Sequence, residues 1–331
     1  MRGPLRICVA IPTFRRPGTF GPLLDALSQL TFASEPPLLD VLVVDNDPQG
    51  SAHTLVEEKR ARFRGAVHYA RVAQPGLCSV RNYALGFAAD TYDALVMIDD
   101  DEAPPPGWLD ALLRVREATQ ADAVIGHVVP SYPPGAPRWI TSGSFFCVPP
   151  PPDGMLIEYG NTANCLMMLA TVRAMGLSFD PALNQAGGED ELFFRQIVAR
   201  GGRIAFAAHA VVTDFIPSSR LNPKYILQRE LRKGNTLTIC DQKIHGTVPV
   251  LALRAAKGIA RSIFGLVSFV PRALIWGRRG AVGALCDIVR GVGMLLGLAG
   301  VRILGYKRTD VTVATTEVFL QRDPRLLPVT T

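Results

Sequence analysis

The chain has 331 residues, enough for one large domain or a domain with an appendage, and 48% apolar with 19% charged content excludes a disordered chain. Its net charge of +6 is unevenly spread. Residues 1–219 carry 17 Lys and Arg against 23 Asp and Glu, whereas residues 220–308 carry 16 against 3, so an anionic surface or ligand is expected beside the back half.

Met1-Arg-Gly-Pro4 runs straight into a β-rich stretch, residues 5–11, without the apolar core and cleavage site of a signal peptide. Pro12 is expected to end that strand, and Thr13-Phe-Arg-Arg-Pro17 to form the loop after it. Apolar spacing at Phe20, Leu23, Leu24 and Leu27 predicts a helix, with Thr19 or a neighbour as its cap. A second strand is expected over 38–44, closed by Asp45-Asn46-Asp47-Pro48. A helix through Leu55 to about Arg62 and an extended stretch over 67–72 follow. Strand, helix and strand at this pace imply an α/β unit and a mostly parallel sheet.

Gln74-Pro-Gly-Leu-Cys-Ser-Val-Arg81-Asn82 opens the next helix. Gly76 permits a sharp entry, and the helix start with Arg81 offers donors suited to a phosphate, although a capped helix with a surface Arg is the plainer reading. The apolar run 94–98 then stops in Asp99-Asp100-Asp101, Glu102 and three prolines. Alternation along an extended chain would put Asp99 and Asp101 on one side and Asp100 on the other. Crowded carboxylates at the carboxyl end of a strand suit a divalent cation, while capping of the helix from Gly107 is the simpler alternative.

Residues 126–160 are rich in Pro and Gly, with Trp139, Phe145 and Phe146, and read as a long loop beside a substrate pocket. A strand-like run over 161–170 follows. Gly187-Gly-Glu-Asp190-Glu191 begins a helix continuing to Ala199. Acids suit that position through the helix dipole alone, but one aimed into a cleft could act as a general base. A strand over 203–208 leads into Val211-Val-Thr-Asp214. Arg220, Lys224, Arg229, Arg232 and Lys233 then form a basic helical run, suited to a pyrophosphate or simply a solvated face.

From 248 to 301 the chain is apolar, rich in Gly and Ala, and interrupted by Arg and Lys. Neither 263–276 nor 281–301 reads as a clean spanning helix. Interfacial attachment to an anionic leaflet is expected, with a buried helical hairpin as the alternative. Residues 309–331 read as a short tail. Cys8, Cys78, Cys147, Cys165, Cys240 and Cys286 show no CxxC spacing, so reduced thiols are expected rather than a zinc knuckle or disulfide framework. The basic residues interleave with aliphatics more than with stacking aromatics, which argues against a nucleic-acid partner.

Four motifs in order, Ile11-Pro-Thr-Phe-Arg15, Val43-Val-Asp45-Asn-Asp47, Asp99-Asp100-Asp101 and Gly187-Gly-Glu-Asp190, resemble an inverting family 2 glycosyltransferase of the GT-A fold. The resemblance covers about residues 5–240 and is greatest to bacterial glucosyltransferases of the succinoglycan type, which extend lipid-linked exopolysaccharide repeats. It implies a Rossmann-like, mostly parallel sheet flanked by helices as the catalytic domain (1–240). A membrane-associating helical region (241–308) and the tail (309–331) would follow.

The same resemblance implies that Thr13, Arg15 and Asp45 border the nucleotide, with Arg81 near it, and that Asp99 and Asp100 approach ribose and sugar. Asp101 would hold Mg²⁺ or Mn²⁺. Asp214 would stand where relatives place a metal-binding His, with His209 as the alternative. Asp190 would be the base and Glu189 its neighbour, and Arg229 or Arg232 would add charge at the phosphate. The processive Gln-x-x-Arg-Trp motif is absent, which points to single-sugar transfer.

Implied partners are a nucleotide-sugar, UDP-linked by default, a lipid-linked or glycan acceptor, and an anionic membrane surface at the cytoplasmic face of the cell membrane. Two other readings compete. A sugar-phosphate nucleotidyltransferase would want a Gly-rich phosphate loop with Lys, where this chain has Pro12-Thr-Phe-Arg-Arg. An inactive membrane-bound sugar-nucleotide-binding protein is separable only by assay.

Overall fold

Strand-length apolar runs alternate with amphipathic helices over the first half of the chain, and the computed structural model, which describes residues 3–184 and 187–303, builds them into one mixed sheet. The elements begin with β1 (Arg6–Thr13), α1 (Pro17–Ser28), β2 (Leu38–Asp45), α2 (His53–Arg60), β3 (Val67–Arg71), α3 (Leu77–Ala88) and β4 (Ala94–Ile98). Next are β5 (Glu102–Ala103), α4 (Trp108–Thr119), β6 (Ala123–Ser131), α5 (Arg138–Thr141), β7 (Leu156–Ile157), β8 (Asn164–Met168) and α6 (Leu169–Ala174). The chain continues through α7 (Glu189–Ala199), β9 (Ile204–Phe215), α8 (Pro223–Ile244) and α9 (Val248–Leu298).

The order across the nine-stranded sheet is β3-β2-β1-β4-β8-β6-β9-β5, with β7 also on β9. Strands β1 to β4 pair in parallel, β8 runs antiparallel between β4 and β6, and β9 pairs in parallel with β6. The carboxyl ends of β1, β2, β4 and β9 therefore share one edge. This is where an open α/β sheet binds its ligands.

Two-residue periodicity splits the core between the faces of the sheet. Ile7, Val9 and Ile11 pack with α1, α2 and α4, while Cys8 and Ala10 pack with α3, α6 and α7. The four apolar positions expected in α1 are all buried. That helix starts at Pro17, so Thr19 lies inside its first turn and does not cap it. Strand β1 continues through Pro12, which lies beyond the last β1–β4 pair, Ala10 with Met97; β1 is flanked there by β2 alone, where a missing N–H is tolerated.

The expected loop over 126–160 is shorter than its composition implied, because 126–131 complete β6. Strand β9 is continuous and bulged: its pairing jumps from Gly126 with Ala207 to His127 with Val211. The buried Asn164 side chain closes that bulge, donating to Ala210 O (2.7 Å) and accepting from Trp108 Nε1 (2.8 Å).

The expected domain boundary at 240 falls inside α8. Helix α9 is apolar and long enough to cross a membrane by length and composition, the only such helix among the described residues. It bends at Gly277, whose backbone (φ 56°, ψ −139°) favours glycine, into arms 248–276 and 278–298. Small residues let the arms fold together: a Cβ on Gly265 would lie 2.6 Å from Ala284 O, and one on Gly258 3.3 Å from Leu295. Gly293 and Gly297 press the second arm onto Leu231, Asn235 and Thr238 of α8. That arm is thus enclosed, while Ile263, Phe264, Leu266, Val267, Leu274 and Ile275 of the first arm stay exposed. The tail 309–331 lies outside the described residues.

Candidate active site

Parallel pairing puts Thr13 opposite Asp45 at the edge where β4 ends. The four acids after Ile98 do not continue the strand. Glu102 N–H donates to Asp99 O (3.2 Å), closing a turn, so the alternation expected of Asp99, Asp100 and Asp101 is replaced by a cluster. Arg16 Nη1 donates to both Asp100 Oδ1 (3.1 Å) and Asp101 Oδ2 (2.6 Å), and Thr13 Oγ1 donates to Asp100 Oδ2 (2.7 Å). Glu102, buried beneath the turn, accepts from Asp99 N–H (3.0 Å). No acid here caps α4: Gly107 takes the cap position and receives no side-chain bond.

Beside Thr13, the loop after β2 is organised by Asp45, fully buried and accepting from Asp47 N–H (2.8 Å), Ala52 N–H (2.9 Å) and Tyr69 Oη (3.0 Å). Burial and that carboxylate push the Tyr69 phenol well up. Arg15 Nε donates to Asp47 Oδ1 (3.2 Å). Asn46 reaches the next loop, donating to Val72 O (2.8 Å) and Gln74 O (2.9 Å) and accepting from Gly76 N–H (2.8 Å). Gly76 enters α3 at φ 115°, hard against Asn184.

Helix α3 delivers Arg81 into the buried ground between the acids and α7. Its guanidinium hydrogen-bonds Glu189, and both side chains are 5% exposed. Arg81 Nε and Glu189 Oε2 are buried without a hydrogen-bond partner. Arg81 feels the charges of Glu189, Asp190 and Asp99, so it stands where the β4 acids and the start of α7 meet. Burial raises Asp99 to about 6; Arg81 opposes this, and Asp101, Asp100 and Asp190 add to it. Glu102 is raised well above the carboxylate range by burial and by Asp99, Asp214 and Asp101. Asp190 Oδ1 accepts from Glu191 N–H (2.8 Å).

Asp214 pairs across the sheet with Glu102. Burial raises its carboxyl and Asp101 raises it further, against the pull of Arg220, Arg229 and Arg16. Arg229 donates to Phe145 O (2.8 Å) and lies over the Phe146 ring (5.4 Å). Arg232, one turn on, is half-buried on α8. His209 is exposed on the β9 bulge.

Thus Thr13, Arg81, Asp99, Asp100, Asp101, Glu189, Asp190, Asp214 and Arg229 belong to one neighbourhood, with Arg15 and Asp45 on its adjoining wall. Sequence reasoning missed Arg16 and Glu102. The doubled arginine at the end of the first strand was the available signal for Arg16; nothing local marks Glu102 as buried.

Among the described residues no three His, Cys, Asp or Glu side chains form a metal-holding group on their own. The donors fit Mg²⁺ or Mn²⁺ nonetheless, since such ions take one or two carboxylates and complete their shell with water and substrate phosphate. Burial, and then neighbouring acids, raise Asp99, Glu102 and Asp214, and a bound cation would offset that crowding of negative charge.

The family described as Glycosyl transferase family 2 matches residues 8–177. Succinoglycan biosynthesis protein ExoM of Rhizobium meliloti (strain 1021) is 34% identical over 245 residues, 73% of this chain and 77% of that protein. Among solved structures, the mannosyltransferase PcManGT from Pyrobaculum calidifontis, in complex with GDP-Man and Mn²⁺, is 16% identical with a TM-score of 0.59, covering 88% of each chain. S. aureus TarS 1-349 is 14% identical with a TM-score of 0.51, covering 93% of this chain and 94% of that one. At these identities the structures share the fold. The family match across half of the chain and the 34% identity to ExoM show that this chain belongs to glycosyl transferase family 2 and is a glycosyltransferase with the GT-A fold.

Proposed function

We propose that the chain moves one sugar, with inversion, from a nucleoside diphosphate sugar to a hydroxyl of a lipid-linked glycan acceptor, at the cytoplasmic face of the cell membrane and with Mg²⁺ or Mn²⁺. The observation that carries this reading is the meeting of Asp99 with Asp190 and Glu189 around the buried Arg81, with Asp101 beside Asp99. A donor held by the first group would present its anomeric carbon to an acceptor held by the second.

Asp190 takes the proton of the acceptor hydroxyl as that oxygen attacks the anomeric carbon and the bond to the diphosphate breaks. An alcohol is a weak nucleophile at neutral pH, and a positioned base contributes about 10²–10⁴ in rate. The Arg81–Glu189 pair holds the start of α7 against the donor site, making Glu189 a positioning residue. Asp99 and Asp100 approach ribose and sugar, while Thr13, Arg15 and the loop ordered by Asp45 flank the nucleoside. Asp101 and Asp214 are the ligands for a divalent ion, whose chemistry when bound is to neutralise charge on the departing diphosphate. Arg229 and Arg232 add positive charge on the same side.

Attachment to the membrane is supported by the first arm of α9. Its apolar residues are exposed along one side only, its charged residues are mostly basic, and the second arm is covered by α8. A helix apolar on one face and basic around it lies in an interface rather than spanning it. The catalytic unit would then end near residue 240 and the membrane unit occupy 241–308, sharing α8. UDP remains the default nucleotide; TarS has been solved with UDP and PcManGT with GDP-Man, so the nucleotide is a matter for assay.

The test is a panel of nucleotide sugars with and without Mn²⁺, scored for released nucleoside diphosphate. Asp190→Asn should lower turnover about 10²–10⁴-fold while donor binding by calorimetry stays near wild type. Wild-type turnover in that variant removes the base assignment.

A further inference from the structure

We propose that Arg16 is a built-in counter-cation of the donor site, holding the place between Asp100 and Asp101 until a divalent ion takes it. The proposal rests on the metal-assisted reading above and adds a residue that neither the motifs nor the comparisons single out.

Three features of the loop after β1 argue for it. Arg15 has φ 55°, a left-handed backbone uncommon in a residue with a side chain, and the next residue, Arg16, caps α1. The two neighbouring arginines reach different loops, Arg15 to Asp47 and Arg16 to the acids after β4. Strain of this kind persists only where the surroundings over-determine it, and here both side chains are anchored.

Access is the second feature. The Arg16 side chain is 44% exposed, whereas those of Asp100 and Asp101 are 7% and 18% exposed, so the guanidinium covers the acids from the solvent side. It can leave without disturbing the core.

Competition is the third. Asp101 Oδ2, which accepts the 2.6 Å hydrogen bond from Arg16 Nη1, is a carboxylate oxygen offered as a metal ligand. A metal sits on such an oxygen at about 2.0–2.1 Å, so ion and guanidinium cannot both use one lone pair. Asp214, the other candidate ligand, also lies within reach of Arg16's charge. Without Arg16 or a metal, Asp100 and Asp101 would face each other with less compensation, a costly state for like charges. The guanidinium thus offsets the charge of these acids and must be displaced when a divalent ion binds them.

The test measures Mn²⁺ binding to the full chain without nucleotide, following free Mn²⁺ by electron paramagnetic resonance. Arg16→Gln removes the competitor and should bind Mn²⁺ roughly tenfold tighter or more, given the size of a unit charge a few ångströms away. Arg16→Lys keeps the charge without the planar fork and should fall between Arg16→Gln and wild type. Arg16→Gln affinity equal to or weaker than wild type overturns the proposal; if that variant does not fold, wild-type affinity in Arg16→Lys overturns it instead. A separate arm measures UDP binding to wild-type protein with and without Mn²⁺. No Mn²⁺ dependence there removes the metal reading itself, whereas clear dependence with unchanged Arg16→Gln affinity removes only the role of Arg16.

Discussion

Asp99 carries a cost in the metal-free protein that can be measured directly. Its folded value is about 6, against 3.8 ordinarily, because burial and three neighbouring acids disfavour its charge. Below about pH 4 the group is protonated in folded and unfolded chains alike, and no penalty applies. As pH rises from about 4 to about 6 the unfolded chain releases the proton more readily, so Asp99 progressively lowers stability, and the loss is complete above that window. In chelator-treated buffer, Asp99→Asn should therefore stabilise the protein by about 2–3 kcal/mol at pH 8 and by little near pH 4. A melting-temperature difference constant across that range would contradict the electrostatic account. The acids themselves were legible as a motif, since an apolar run ending in three carboxylates is unusual. Their arrangement was not legible, because Arg16 meets Asp100 across 84 residues and the turn replaces the expected alternation.

Elements with strong periodicity were readable along the chain: β1 to β4, α1, α3 and α7 lie within a few residues of where apolar spacing put them. The misses are of a different kind. Two-residue strands such as β5 and β7 have no period to detect, and the β9 bulge depends on Asn164 closing it from another strand. The helical hairpin stood in the sequence only as the alternative to interfacial attachment, for a third reason. Composition showed apolar stretches rich in Gly, but which glycines face a partner follows only from three-dimensional packing. Gly265 is one such case, with Ala284 O and Ile288 closing the space a side chain would need. Gly265→Val should cost about 1–3 kcal/mol by overpacking, seen as a lower melting temperature, whereas Gly277→Ala should act through backbone strain instead. A Gly265→Val protein as stable as wild type would mean the arms do not pack closely.

At the scale of the molecule, the hairpin is wired to the site from several sides. Asp241 on α8 accepts from Arg195 of α7 (2.6 Å) and Arg254 of α9 (2.5 Å), tying the helix that carries Asp190 to the first arm. At the bend, Arg278 lies over Trp139 (4.8 Å) and Arg279 donates to Ser142 O (2.9 Å), so the bend touches the same segment whose Phe145 and Phe146 meet Arg229. Asp287 bridges Arg261 and Arg272 between the arms, and the outward side of the first arm is mainly aliphatic.

A surface of this kind, fixed to both α7 and the aromatic segment, would set the acceptor side of the active site at a defined height above a bilayer. Leu274 and Ile275, 82% and 68% exposed near the bend, are the residues to change. Burying an aliphatic side chain contributes about 1.5–3 kcal/mol, so Leu274→Glu with Ile275→Glu should weaken binding to vesicles containing phosphatidylglycerol at least tenfold. Because neither residue approaches the acids around Arg81, turnover on a short water-soluble acceptor should stay near wild type while turnover on an acceptor embedded in those vesicles falls. Added salt should weaken the wild-type vesicle interaction, as expected for basic residues near an anionic surface. Undiminished vesicle binding by the double variant would mean that the outward face of the first arm meets something other than lipid.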